Sequence, residues 1–91
     1  MNHDTRLKRL RFRAWHRGTR EADLLIGGFF DARSAGWNAS ELDWFEALLE
    51  EQDVDIIMWA MGSAPPPPEF AGGLMPDLQR VDYLKPDAHP V

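Results

Sequence analysis

The sequence predicts an all-α protein, a small bundle of five helices in a single domain. Apolar residues recur at helical spacing in several segments, and cap-forming residues stand before most of them. No stretch alternates between polar and apolar residues for long enough to form a sheet. A chain of 91 residues has the length of one small domain. We therefore predict one domain over residues 1–91, with an ordered core from about 6 to 84 and a loose tail over 86–91.

Charge is distributed unevenly along the chain. The net charge is −5, but residues 1–20 carry +6 and residues 21–91 carry −11. Such a basic segment could meet an acidic protein surface, a nucleic acid or a phosphate-bearing cofactor. Cysteine is absent, which excludes disulfides and thiol catalysis. No apolar run approaches the ~20 residues of a membrane-spanning helix, so we expect no membrane insertion.

The first helix is predicted from Arg6 to about Arg17, with Thr5 as its N-cap. Beside its apolar face runs an arginine stripe, made of Arg6, Arg9, Arg13 and Arg17. The stripe is either a solvated helix face or a binding surface. Phe12 and Trp15 lie off the apolar face, so they either pack on a second neighbour or face a partner.

The second helix is predicted from Thr19 to about Ala32. It is apolar nearly all round, which is typical of a central helix packed on several sides. Gly27 and Gly28 inside it each cost about 1 kcal/mol relative to alanine, so we expect another helix to approach closely there. No strand precedes the pair and no GxGxxG pattern exists, so it does not indicate nucleotide binding. Leu25 and Phe29 are predicted core residues.

Two shorter helices are predicted next. Ser40, followed by acidic residues, indicates the N-terminus of a third helix over about 41–51. Asp53 is the predicted cap of a fourth helix from Val54 to Met61, and Gly62 is its stop signal.

The remainder of the chain is predicted to be less regular. The four prolines Pro65–Pro68 favour a polyproline II conformation and indicate a stiff spacer. A last, imperfect helix is predicted from about Pro76 to Leu84. Because Phe70 lies between these segments, we expect it to contribute less to the core than Leu25 or Phe29.

The chain shows no pattern typical of an enzyme. The histidines His3, His16 and His89 are scattered, and they lack metal-binding spacing. No nucleophile elbow or Ser/His/Asp order is present. The acidic residues of the third and fourth helices stand opposite the apolar ones, as solvated charges do, and nothing marks a catalytic carboxylate pair. We predict a protein without enzymatic activity.

The segment Arg17-Gly18-Thr19-Arg20-Glu21 is predicted to form a sharp junction between the first two helices. Gly18 can adopt a positive φ, and Arg17 would lie in the last turn of the first helix. Thr19 can cap the second helix, and Glu21 would lie in its first turn. Capping explains each of these residues except Arg20.

Two blocks in this chain carry a family resemblance. The first is Arg-Gly-x-x-Glu at residues 17–21, followed by Asp23 and an apolar helix. The second is Asp-apolar-x-x-Trp at residues 55–59, followed by a proline-containing stretch. In order and spacing, residues 6–84 resemble the small succinate dehydrogenase assembly factors that promote covalent flavin attachment. The chain departs from that pattern in its four-proline run and its Gly-rich residues 71–73.

The resemblance implies a compact five-helix assembly factor. Its partner would be the immature flavoprotein subunit of succinate dehydrogenase or fumarate reductase. FAD would be handled on that flavoprotein and would not be bound stably by this chain. The functional residues of the family correspond to Arg17, Gly18 and Glu21. The other candidate partner-binding residues are Arg13, Trp15, His16, Arg20, Asp23, Asp55 and Trp59.

Two alternatives from other functional classes remain open at the level of sequence. The first is a small helical module that binds nucleic acid through the arginine stripe, although the −11 of residues 21–91 would repel phosphates. The second is a proline-rich adaptor based on Pro65–Pro68. We expect a location in the bacterial cytoplasm rather than the mitochondrial matrix, because the arginine-rich start lacks serine and leads directly into the core segment.

Overall fold

The computed structural model describes residues 2–84, and within this range it is helical without strands. The all-α prediction is therefore confirmed. The predicted tail over 86–91 lies outside the described residues. The helices are α1 (His3–Trp15), α2 (Arg20–Arg33), α3 (Ala39–Leu48), α4 (Asp53–Met61), α5 (Pro68–Ala71) and α6 (Met75–Leu78), with a 3-10 turn at Ser34–Gly36. Within residues 2–84, none of the helices is long and apolar enough to cross a membrane.

Helix α1 begins and ends earlier than the sequence predicted. Asn2, not Thr5, is its N-cap, because the Asn2 side chain accepts a hydrogen bond from the Thr5 amide at 2.7 Å. The helix ends at Trp15 because His16 leaves the helical conformation, with φ −124° and ψ 56°. Arg17 therefore lies beyond the last turn, and the predicted interaction of Arg17 with the helix dipole is wrong.

Helix α2 is the centre of the bundle, as predicted. The Thr19 side chain caps it by accepting a hydrogen bond from the Ala22 amide at 3.2 Å. Ile26 and Phe29 are fully buried within the core. Gly27 allows the predicted close approach, because the indole of Trp15 on α1 occupies the space where a side chain would stand.

The starts of α3 and α4 differ from prediction for local reasons. Asn38, not Ser40, caps α3 in a reciprocal capping box with Glu41, with N–O distances of 2.8 and 2.9 Å. Helix α3 ends at Leu48, short of the predicted 51. Asp53 does not cap α4 but is its first residue. The predicted stop at Gly62 is confirmed by a left-handed φ of 78°.

The C-terminal part contains two four-residue helices: α6 stands in place of the longer helix predicted from Pro76 to Leu84, and α5 was not predicted. Gly73, with φ +56°, stands between them, and Val81, with φ 49°, follows the second. Pro68 is the first residue of α5, a position that suits proline because no amide hydrogen is needed there. Phe70 is buried between Trp44 and Trp59, at ring-centroid distances of 5.8 and 5.6 Å. The expectation that Phe70 contributes little to the core is therefore wrong.

The glycine pair of α2 supports the prediction that alanine at Gly27 and alanine at Gly28 change the stability of the protein in different directions. A Cβ at Gly27 would stand 2.3–2.7 Å from three ring atoms of Trp15, whereas one at Gly28 would meet its nearest neighbour at 3.5 Å. We expect Gly27→Ala to destabilise the protein by about 1–2 kcal/mol, because overpacking outweighs the better helix propensity of alanine.

Gly28→Ala is the matched control. It should be neutral or stabilise the protein by up to ~1 kcal/mol, because alanine favours the helix and meets no close neighbour. Thermal melts of both variants measure the difference. Equal melting temperatures would contradict the proposed packing of Trp15 on Gly27.

Candidate functional site

The junction between α1 and α2 depends on the backbone of Gly18. Its φ of +111° lies in the region that favours glycine, which confirms the predicted positive φ. A Cβ at this residue would have no heavy atom within 4 Å. Glycine is therefore favoured here by the positive φ of the backbone and not by close packing.

The side chain of Arg17 holds the junction to the turn between α3 and α4. Its Nε donates to Asp53 Oδ1 at 2.7 Å, and its two terminal nitrogens donate to the carbonyl oxygens of Leu49 and Glu51 at 3.0 and 3.1 Å. Only 12% of the side chain is exposed. The guanidinium is thus a largely buried member of the arginine stripe, and its partners lie within this chain. We call Arg17 and these three acceptors the Arg17 clamp.

Asp23 fixes the same junction from the other side. Its Oδ1 accepts a hydrogen bond from the backbone amide of Arg17 at 2.7 Å. Because Asp23 lies in the first turn of α2, its carboxylate also suits the positive end of the helix dipole. Arg17 thus ties the junction to α2 through its backbone amide and to the α3–α4 turn through its side chain.

Among the residues of the motif, Glu21 remains accessible for contact with another molecule. It is exposed in the first turn of α2, and its carboxylate contacts no cation within residues 2–84. Arg20 is exposed beside it. The junction therefore divides the motif into residues that build the turn and residues that face solvent.

The candidates on the end of α1 have different surroundings. Arg13 forms an ion pair with the exposed Glu50. Trp15 is buried, and its Nε1 donates to Asp31 at 3.1 Å. His16 is exposed and stacks on Phe12 at a centroid distance of 3.9 Å. Of these three predicted site residues, His16 is the most exposed, and Trp15 belongs to the core.

The second block begins two residues after the carboxylate that Arg17 binds. Asp53, two residues before Asp55, is the carboxylate of the Arg17 clamp. Asp55 is half-buried in the first turn of α4. Trp59, further along the helix, is buried and stacks on Phe70, with its ring at 27° to that of Phe70. The structure thus links Arg17 of the first block to a residue just before the second block, while Trp59 belongs to the core.

The arginine stripe of α1 faces a row of acidic residues. Arg6 pairs with Asp43 at 2.6 Å and with Glu46 at 2.9 Å, and the hydrogen bond to Asp43 raises the pKa of Arg6. Together with the ion pairs of Arg13 and Arg17, these pairs set carboxylates of α3 and the following turn against three arginines of the stripe. The prediction that these acids are only solvated charges is wrong for the four that form ion pairs with the stripe, Asp43, Glu46, Glu50 and Asp53.

Sequence reasoning missed the role of Asp53 because it assigned that residue to helix capping. A usable signal was present: a basic row on one predicted helix and an acidic row on another are complementary. Within residues 2–84, no group of three His, Asp or Glu side chains could hold a metal ion.

Comparison with known proteins identifies the family. Residues 8–82 match the family model described as flavinator of succinate dehydrogenase. The chain is 46% identical over 76 residues to FAD assembly factor SdhE of Acetobacter pasteurianus, covering 84% of this chain and 67% of that protein. It is 37% identical over 68 residues to the mitochondrial succinate dehydrogenase assembly factor 2 of Mycosarcoma maydis, covering 75% of this chain. It is 35% identical over 86 residues to the protein of that name in Saccharomyces cerevisiae, covering 90% of this chain.

The lengths of these relatives differ from that of the matched chain. The chain spans 29% of the Mycosarcoma maydis protein and 53% of the Saccharomyces cerevisiae protein. The family model, however, covers most of the present chain, including both blocks and the junction between α1 and α2. This chain belongs to the family of flavinators of succinate dehydrogenase.

Proposed function

We propose that this protein is an assembly factor that binds the immature flavoprotein subunit of succinate dehydrogenase and promotes covalent attachment of FAD to it. Fumarate reductase has a flavoprotein subunit that could be a second client. The names of the relatives, FAD assembly factor and succinate dehydrogenase assembly factor, support this role. The structural observation that carries the proposal is Glu21, an exposed carboxylate on a junction that the Arg17 clamp holds rigid.

Rigid presentation is what a docking residue needs. The backbone of a fixed helix start loses little conformational freedom on binding, so more of the interaction energy appears as affinity. Glu21 can pair with a cation of the flavoprotein, and Gly18 leaves open space for close backbone approach. In this proposal the docked partner holds its own flavin and target histidine in a reactive geometry, and bond formation is the chemistry of the flavin. The assembly factor supplies no reacting group.

FAD is assigned to the partner and not to this chain. The glycine pair Gly27-Gly28, which the sequence already separates from nucleotide-binding loops, is covered by other residues of the chain. The indole of Trp15 fills the space over Gly27, and Tyr83 stands over Gly28. A phosphate group cannot approach this backbone as it would in a nucleotide-binding loop.

The nucleic-acid alternative is not supported. The arginines that were its basis are largely matched by carboxylates of the same chain, at Arg6, Arg13 and Arg17. Phosphate contacts would have to compete with these pairs. A bacterial cytoplasmic location is part of the proposal, based on the identity of 46% to the Acetobacter pasteurianus protein; the relatives of 37% and 35% identity are named as mitochondrial.

The test of the proposed function is covalent flavin on the co-expressed flavoprotein subunit, measured by in-gel flavin fluorescence. Wild-type protein should increase the fluorescent band relative to the flavoprotein expressed alone. Glu21→Gln should reduce that increase about tenfold, the effect of losing one charge-assisted hydrogen bond. The melting temperature should change by no more than a few degrees, because Glu21 is exposed.

Glu69→Gln is the matched control. Glu69 is also exposed, and like Glu21 it is the second residue of its helix. It should leave the fluorescent band at the wild-type level. A wild-type band no stronger than that without the assembly factor would overturn the proposed function. A full band with Glu21→Gln would remove Glu21 from the docking contact.

A further inference from the structure

Helix α4 carries an outward face that is wholly apolar. Val54, Met58 and Met61 are 61%, 37% and 54% exposed, while Ile56 and Ala60 on the opposite side are buried. The spacing of four and then three residues places the three exposed side chains on one side of the helix. Among residues 2–84, the one other large apolar side chain with comparable exposure is Phe12 on α1. Exposed apolar residues are thus concentrated on α4.

Packing of the core does not explain why this exposed face is apolar. A helix that is apolar all round is normally covered on all sides, and α4 has no polar residue after Asp55. Clustered apolar exposure typically marks an interaction surface. Methionine side chains are flexible and polarisable, so two of them suit a surface that must adapt to a partner.

The Arg17 clamp connects this face to the motif. Arg17 bonds to Asp53, the first residue of α4, and to two carbonyl oxygens of the turn before it. Val54 follows immediately, and the face extends about 10 Å along the helix from there. The start of the α4 face is therefore held directly by the junction that presents Glu21.

Charge indicates which partner covers the face. The segment 49–62 contains acidic residues but no Lys or Arg. The carboxylates of Glu51 and Asp55 form no ion pair within residues 2–84. In a symmetric dimer through this face, the same carboxylates of two copies would approach each other, which is unfavourable. A partner with an apolar patch flanked by basic residues fits better than a second copy.

We infer that Val54, Met58 and Met61 form a docking face for the flavoprotein subunit, continuous with the junction at Glu21 and positioned by the Arg17 clamp. The inference rests on the proposed function and extends it. It assigns to the flavoprotein a complementary apolar patch bordered by Lys or Arg side chains.

The test is the affinity of the purified flavoprotein subunit for a triple variant, Val54→Gln, Met58→Gln and Met61→Gln, measured by titration calorimetry. We expect binding to weaken by about 30-fold or more, because three apolar side chains lose their burial at the interface. Thermal melts should stay within a few degrees of wild type, because the substituted side chains are exposed. Ala32→Gln is the control, since it changes an exposed residue near the far end of α2, about 16 Å along the helix from Glu21 and outside the candidate site, and it should retain wild-type affinity within about twofold.

Three other outcomes would overturn the inference. Wild-type affinity in the triple variant would remove α4 from the interface while leaving the proposed function intact. A wild-type dimer that the triple variant converts to a monomer, with flavinylation unchanged, would assign the face to self-association. If wild-type protein neither binds the flavoprotein nor promotes flavinylation, the proposed function fails first and the docking face fails with it.

Discussion

Phe70→Ala should lower the free energy of unfolding by about 3–4 kcal/mol, although Phe70 follows a run of four prolines at the edge of the fold. Phe70 is 5% exposed, and its ring lies between those of Trp44 on α3 and Trp59 on α4. Truncation would leave a cavity between two large rings that the short helix α5 cannot close. Because α5 has only four residues, this side chain also anchors the C-terminal segment to the bundle.

Chemical denaturation at 25 °C measures the effect, with Phe12→Ala as the control. Phe12 is 63% exposed, so its truncation should change stability by less than about 1 kcal/mol. Similar losses of unfolding free energy in the two variants would show that burial does not determine how much either ring contributes to stability. A loss at Phe70 below about 1 kcal/mol would instead restore the sequence-based expectation of a loosely held segment.

Sequence-based prediction was successful where the determining interaction is local. Thr19 caps α2 because its side chain reaches an amide three residues ahead, and Gly62 ends α4 because glycine tolerates a left-handed conformation. The all-α class, the central α2 and the positive φ of Gly18 were predicted for the same reason. The cap of α3 was a local error, since Asn38 and Ser40 are both good caps and Glu41 stands at the capping-box spacing only from Asn38.

Prediction failed where the determining contact joins residues distant in sequence. Phe70 is buried by Trp44 and Trp59, and no local pattern shows that these rings meet. Asp53 was assigned to capping, but its carboxylate pairs with a guanidinium 36 residues away. The motif predicts where the candidate site lies, while the distinction between its buried and exposed members required the fold.

That distinction changes how variants of the motif should be interpreted. A loss of flavinylation in a variant of Arg17 would combine weaker docking with a weaker fold, because Arg17 is a structural residue of the junction. Glu21 is exposed, so its variants report on docking with little effect on the fold.

Arg17→Ala should lower the free energy of unfolding by about 3 kcal/mol. The substitution leaves the carboxylate of Asp53, 26% exposed, without its cation, and leaves two carbonyl oxygens of the α3–α4 turn without their donors. For a domain of this size, such a loss lowers the melting temperature by about 12–24 °C. Arg17→Lys should recover part of the stability, because an ammonium keeps the charge but cannot donate in three fixed directions.

Arg13→Ala is the matched control, since Arg13 also pairs with a carboxylate of the α3–α4 region. Its partner Glu50 is 70% exposed, so the pair contributes at most about 1 kcal/mol. Amide hydrogen exchange adds a local measurement: Arg17→Ala should accelerate exchange at the first hydrogen-bonded amides of α4, those of Ile56 and Ile57, more than Arg13→Ala does. Equal stability losses in the two variants, with unchanged exchange in α4, would show that Arg17 does not hold the junction to α4.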